Sequence, residues 1–309
     1  MLALDFIYFA RFGVYISNTT EDLEKDTWRH QMTDPFTKIR GKISNEQLLE
    51  KIFDGQVLIV SGLQPVEDVV GIARSIISGV FESREGDVPD CNLPAAELKA
   101  RNFELRRRFD ESQTARAAFE AAIEQAGLDT TNTYRDRLIL RVSAPVETLR
   151  RDPAVTLPAH RDTWGSGFLG QINWWLPVFP LLPANTAILY PGYWKTPVAN
   201  NAQGWDWRQM KHDPDYPPLP TTDKLLPTTE AVPLMLEPGQ MAVFAGAHLH
   251  ATRPNMSDAP RFSADTRTVD PEHERLGIGA PNVDHAALAP ATPWFKKFST
   301  GARMPKLAA

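Results

Sequence analysis

VPLMLEPGQMAVFAG, residues 232–246, is two short apolar runs separated by Glu-Pro-Gly-Gln. A helix does not survive that interruption, and each run suits a strand. The same character holds from Arg137 onward. RLILRVSAP (137–145), QINWWLPV (171–178), TAILYP (186–191) and RFSADTRTV (261–269) are apolar or alternating and are broken by Pro, Gly and Asn. No helical period longer than two turns survives in this half, and no internal repeat is visible. The pattern predicts a mainly β fold with flanking α-helices, a double-stranded β-helix (jelly roll). The 26 prolines point the same way, because helix interiors exclude proline.

Upstream the period changes. Ser44-Asn-Glu-Gln47 has the form of a capping box, and Leu48, Leu49, Ile52 and Phe53 follow it at helical spacing up to Gly55. Residues 56–63, QVLIVSGL, read as a strand. Val66, Val69, Val70, Ala73, Ile76 and Ile77 then mark a helix face that stops at Gly79. Two more helices are predicted, over about 94–109 and 112–126, the second closed by Gly127. Everything before Ser44 reads as irregular. The expected organisation is a single domain over 1–309: a helix-rich part (1–130), a jelly-roll core (131–270) and a C-terminal tail (271–309). Residues 190–231 carry seven prolines and Trp194, Trp205 and Trp207, and read as a lid or substrate-binding excursion.

Composition narrows the partners. A formal charge of −5 supplies no positive field to hold nucleic acid, which leaves a small-molecule substrate. The apolar N-terminus MLALDFIYFARFGVYI is interrupted by Asp5 and Arg11 and lacks a basic leader, so neither a signal peptide nor a membrane span is expected. Cys91, the single cysteine, excludes an internal disulfide and fits a reducing, cytoplasmic setting. Composition says nothing about oligomeric state.

The chemistry gathers in His160-Arg161-Asp162. On an extended segment, residues two apart project from one face, so an imidazole and a carboxylate converge on a point. About ninety residues later, FAGAHLHATRPN (244–255) offers His248 and His250 after a glycine turn. Either histidine would complete two imidazoles and one carboxylate, a facial set that suits ferrous iron with open positions. Both point the same way on a strand, so spacing does not choose between them. Arg261 and Ser263 follow His250 by eleven and thirteen residues. A guanidinium fork and a hydroxyl on one strand face fit a carboxylate, and Arg267 competes for that role.

The segments LPAHRDTW, QINWWLPV, EPGQMAVFAGAHLHATRPN and APRFSADTRTV, in this order and spacing, resemble the phytanoyl-CoA dioxygenase-like branch of the iron and 2-oxoglutarate-dependent oxygenases. The similarity covers roughly residues 45–270. It implies a jelly roll, Fe(II), 2-oxoglutarate and O2, with oxidative decarboxylation of the cosubstrate coupled to oxidation of a substrate. It also assigns His250 as the third ligand, through the polar stretch to Asn255, and Arg261 as the carboxylate anchor. HRDTW followed by QINWW is closer to members that tailor antibiotics, amino acids and aminosugars.

Around this centre, Gln171 and Asn173 alternate with Ile172 and Trp174 on a core strand and are candidates for the cosubstrate or its water. Arg141 interrupts an apolar strand and calls for an anionic partner, structural or bound. Trp164, Trp175 and Trp194 are candidates for an aromatic substrate wall. His30, His212, His273 and His285 read as surface residues. The competing function is a metal-binding jelly-roll isomerase or a non-redox binding module, neither of which has use for a dicarboxylate anchor.

Overall fold

The structure is a computed structural model that describes residues 34–145, 157–209, 212–213, 216–287 and 290–306. The chain divides into Met1–Pro35 and Phe36–Ala309. The apolar N-terminal segment lies outside the described residues, and the described helices and sheets belong to the second unit.

The Ser44 capping box forms as read. The Ser44 side chain accepts from the Gln47 N–H, the Gln47 side chain accepts from the Ser44 N–H, and helix α1 (Asn45–Phe53) follows. Strand β2 (Val57–Ser61) and helices α2 (Gln64–Phe81), α3 (Ala95–Glu111) and α4 (Gln113–Ala126) come next. Helix α2 runs past Gly79 and ends at Glu82, whose left-handed φ of 56° supplies the reversal that the glycine was expected to make. A further strand, β1 (Phe36–Arg40), lies in the stretch read as irregular and pairs in parallel with β2.

The second half is strand-built: β3 (Tyr134–Arg135), β4 (Ile139–Ser143), β5 (Leu157–His160), β6 (Ile172–Pro177), β7 (Ala187–Leu189), β8 (Val232–Pro233), β9 (Met241–Ala245), β10 (His250–Thr252), β11 (Arg261–Val269) and β12 (Lys296–Lys297). One sheet takes the order β1-β2-β9-β6-β11-β3-β12, with β4 also paired to β11; the other runs β5-β10-β7-β8. The residues 271–309 are more than a tail, since they hold helix α6 (Pro271–Leu276) and β12. No helix among the described residues is long and apolar enough to cross a membrane.

Alternation divides the large sheet into two faces. Leu58, Val60, Leu140, Val142, Trp174, Leu176, Val243, Phe262 and Ala264 pack against α1 to α4 in the main core. The opposite residues of the same strands, Val57, Ile59, Trp175, Ala242 and Phe244, pack with Leu189 of the small sheet and with Leu234 and Leu236. Arg141, Ser143, Asn173, Arg261, Ser263, Asp265 and Arg267 share this inner face by register. A charged row between two sheets is costly unless it is paired or takes a ligand. Cys91 is buried, and burial pushes its thiol up to about 12, so it is inert at neutral pH.

Candidate metal centre

Strand β5 ends at His160, and Asp162 starts a one-turn helix, α5 (Asp162–Ser166), so the extended segment expected through Asp162 is cut short. The two side chains still converge. His250 begins β10 and sits directly opposite His160 in the antiparallel register. The ring centroids are 4.3 Å apart. His160 Nε2 lies 3.7 Å from Asp162 Oδ1 and His250 Nε2 lies 3.9 Å from Oδ2. One donor atom from each of His160, Asp162 and His250 falls within 4.8 Å of the others.

Both rings are oriented from behind. His160 Nδ1 faces the Pro158 carbonyl at 2.7 Å and His250 Nδ1 faces the His248 carbonyl at 2.9 Å. A carbonyl only accepts, so each Nδ1 carries the proton and each Nε2 turns its lone pair to the centre. Burial and the facing His250 push the His160 pKa down to about 3, which keeps that ring neutral. For Asp162, burial favours the neutral acid, but Arg267, both histidines and the Asn173 amide together outweigh it and hold the carboxyl well below its usual range. Two imidazoles and one carboxylate fit a divalent iron with open positions.

His248 is placed elsewhere. It lies in the bend before β10, so the strand period that tied it to His250 does not apply. Its Nε2 faces the Gly55 carbonyl at 3.1 Å, and Trp194 stacks on its ring at 4.4 Å. Gly55 has φ +96°, and a Cβ there would meet the Trp194 indole at 2.7 Å.

The inner face continues the site. Asn173 Nδ2 donates to Asp162 Oδ2 at 2.6 Å, and Gln171 Nε2 donates to Asn173 Oδ1 at 2.8 Å. Arg267 lies 3.4 Å from both Asp162 and Asp136, so its charge is already matched. Arg141 pairs with Asp265 at 2.8 Å, a structural carboxylate. Arg261 differs from both: it is 4% exposed, it reaches only the Asn185 carbonyl at 3.1 Å, and its Nε has no partner. Burial and the like charge of Arg141 push its pKa down to about 10, against the pull of Asp265. Ser263 Oγ, fully buried, is also unpaired, as is Ser143 Oγ, opposite Arg261 in the ladder. Three buried donors left open side by side fit an anionic ligand. Ser143 escaped the sequence reading because serine in an RVSAP strand carries no distinguishing pattern.

Of the tryptophans, Trp175 is on the inner face beside Ala242 and Asp265. Trp194 is half-buried on His248. Trp164 is 0% exposed, and its Nε1 donates to Asp284 at 2.8 Å. His285 is likewise half-buried, held toward the Thr163 backbone, rather than on the surface.

The chain matches no family model and no curated protein. Among solved structures it is similar to EvdO2 from Micromonospora carbonacea var. aurantiaca complexed with 2-oxoglutarate, at 15% identity and a TM-score of 0.45, covering 84% of this chain and 99% of that one. It is also similar to EctD from S. alaskensis with 2-oxoglutarate and 5-hydroxyectoine, at 15% identity and 0.46, over 79% and 87%. A third is SnoN, a non-heme alpha ketoglutarate dependent epimerase from nogalamycin biosynthesis, at 15% identity and 0.38, over 73% and 82%. Likeness this loose assigns neither substrate nor reaction, which rest on the residues of the site.

Proposed function

We propose that the chain is an iron(II)/2-oxoglutarate-dependent oxygenase on a jelly-roll fold, which oxidises an unactivated C–H bond of a small molecule by hydroxylation or oxidative ring formation. The observation that carries this reading is the pairing of two features on one inner face: the buried His160, Asp162 and His250 set, and the unpartnered Arg261, Ser263 and Ser143 donors. A metal-binding isomerase that works without 2-oxoglutarate, or a non-redox binding module, has no need of the second. The β4-β11-β6-β9 half of the large sheet facing β5-β10-β7-β8 supports the jelly roll. HRDTW and QINWW support a substrate in antibiotic, amino-acid or aminosugar tailoring, and the single buried cysteine suits a cytoplasmic enzyme.

His160 and His250 would hold the metal through Nε2 and Asp162 through its carboxylate. Iron(II) with 2-oxoglutarate and O2 supplies oxidative decarboxylation to succinate and carbon dioxide, coupled to substrate oxidation. The protein's own part is positional. Asn173 orients Asp162, the Pro158 and His248 carbonyls orient the rings, and Phe244 packs its edge on His250 at 5.7 Å. Arg261 and Ser263 would take the distal carboxylate of 2-oxoglutarate, the guanidinium bidentately. Arg267, matched by two aspartates, is the weaker candidate.

Anaerobic addition of Fe(II) and then 2-oxoglutarate tests the reading. A weak visible charge-transfer band is the expected result. Metal bound with no band would overturn it. A succinate-release screen over amino acids, aminosugars and acyl thioesters, followed by product mass, then separates gain of one oxygen from loss of two hydrogens.

A further inference from the structure

Asp284 lies in the C-terminal stretch, where no sequence pattern singles it out, yet its side chain is 8% exposed and saturated with donors. Arg161 Nε lies 3.1 Å from Oδ1 and donates to Oδ2 at 3.2 Å, Trp164 Nε1 donates to Oδ1 at 2.8 Å, and the Val198 N–H donates to Oδ2 at 3.0 Å. Arg161 is 2% exposed and stands between two of the proposed ligands. Its other nitrogens donate to the carbonyls of Ala247, Tyr193 and Thr196. Ala247 belongs to the turn that delivers His250, and Thr163 donates its N–H to Gly246 in the same turn. One guanidinium therefore ties the Asp162 side of the centre to the His250 side and to the start of the 190–231 excursion. A buried arginine with only carbonyl partners would be an uncompensated charge, and Asp284 is what neutralises it.

We propose that Asp284, acting through Arg161, is a positioning residue for the metal centre: it sets the spacing of Asp162 and His250, and so the affinity and ligand field of the bound metal. The inference rests on His160, Asp162 and His250 being the ligands. A groove formed by Glu67, Asp68, Thr114 and Ala118 on α2 and α4 is open but has no buried unpaired group to name a ligand. The Arg161–Asp284 knot leaves nothing unassigned.

The test is Co(II) titration of the full chain with its visible ligand-field spectrum, for the native protein, Asp284→Asn and Arg161→Lys. Asp284→Asn keeps the shape and removes the charge that faces Arg161. Partners hydrogen-bonded directly to metal ligands are typically worth about ten- to a hundredfold in affinity; Asp284 acts one residue further out, so a Kd weakened by up to about tenfold with a shifted band is expected. Arg161→Lys, whose point charge does not serve three carbonyls and a carboxylate together, shifts both the same way and decides the matter if Asp284→Asn does not fold. A native Kd and spectrum in both folded variants, even with a lowered Tm, would overturn the proposal and leave the pair merely structural. If the native chain binds no Co(II), or His250→Ala binds it equally well, the metal-centre reading fails instead and takes this inference with it.

Discussion

Asn173 Nδ2 lies 2.6 Å from Asp162 Oδ2, and the Asn173 carbonyl is in turn held by Gln171. The carboxylate thereby has one oxygen occupied by the protein, and its orientation is fixed before any metal arrives. Asn173→Ala should therefore retain the fold but weaken metal binding about ten- to a hundredfold, measured by competition with a chromogenic chelator. Unchanged affinity would mean that the amide only braces the strand.

The two histidines of AHLH should separate cleanly. His250→Ala is expected to abolish iron retention, because its Nε2 completes the centre. His248→Ala should keep iron and lose about 1–3 kcal/mol of stability as the Trp194 stack and the Gly55 contact go. Equal iron loss in both variants, by metal analysis of the purified proteins, would place the wrong histidine at the centre.

Arg261→Lys should raise the half-saturating 2-oxoglutarate concentration while iron stays bound, since a lysine does not make the bidentate pair. A charged hydrogen bond contributes about 1.5–3 kcal/mol, which corresponds to roughly ten- to 150-fold. Were Arg267→Lys to produce that shift and Arg261→Lys not, the anchor would be at the other end of β11.

Acid should destabilise the metal-free protein early. Burial and neighbouring charge push His160 down to about 3, and burial pushes His248 down to about 4. Histidines with folded pKa values below the unfolded 6.5 gain their proton on unfolding. Their contribution is present above pH 6.5 and lost as pH falls toward 4 and then 3. Asp162, held below its ordinary 3.8, adds a loss in the same direction at lower pH. The urea midpoint of the metal-free chain should drop from pH 6.5 to 4; a flat profile there would contradict neutral buried rings.

The legible parts of this chain were local. Ser44-Asn-Glu-Gln47 announces α1 because a capping box is complete within four residues, and β11 announces two faces because alternation is a property of nine consecutive side chains. Strand β1 was missed because FTKIR carries apolar residues only at Phe36 and Ile39, a spacing that does not alternate, and it gains its identity only from parallel pairing with β2. The choice between His248 and His250 was not available to spacing, since it depends on where the turn after β9 stops and β10 starts. Trp164 shows the same dependence: its sequence position beside the proposed ligands does not reveal that its indole N–H goes to Asp284, 120 residues away. Arg267 and Arg261 look equivalent on one strand face, and only long-range charge distinguishes the matched one from the open one.

Gly55 is where the excursion meets the α1–β2 turn. The hydrogen it carries in place of a methyl is the clearance into which the Trp194 indole fits, between that turn and His248. Any other residue at 55 would wedge the 190–196 chain away from the strand that bears His250. A single carbon added at a turn with no catalytic group of its own would thus be felt, through Trp194, at His248, two residues before a proposed metal ligand.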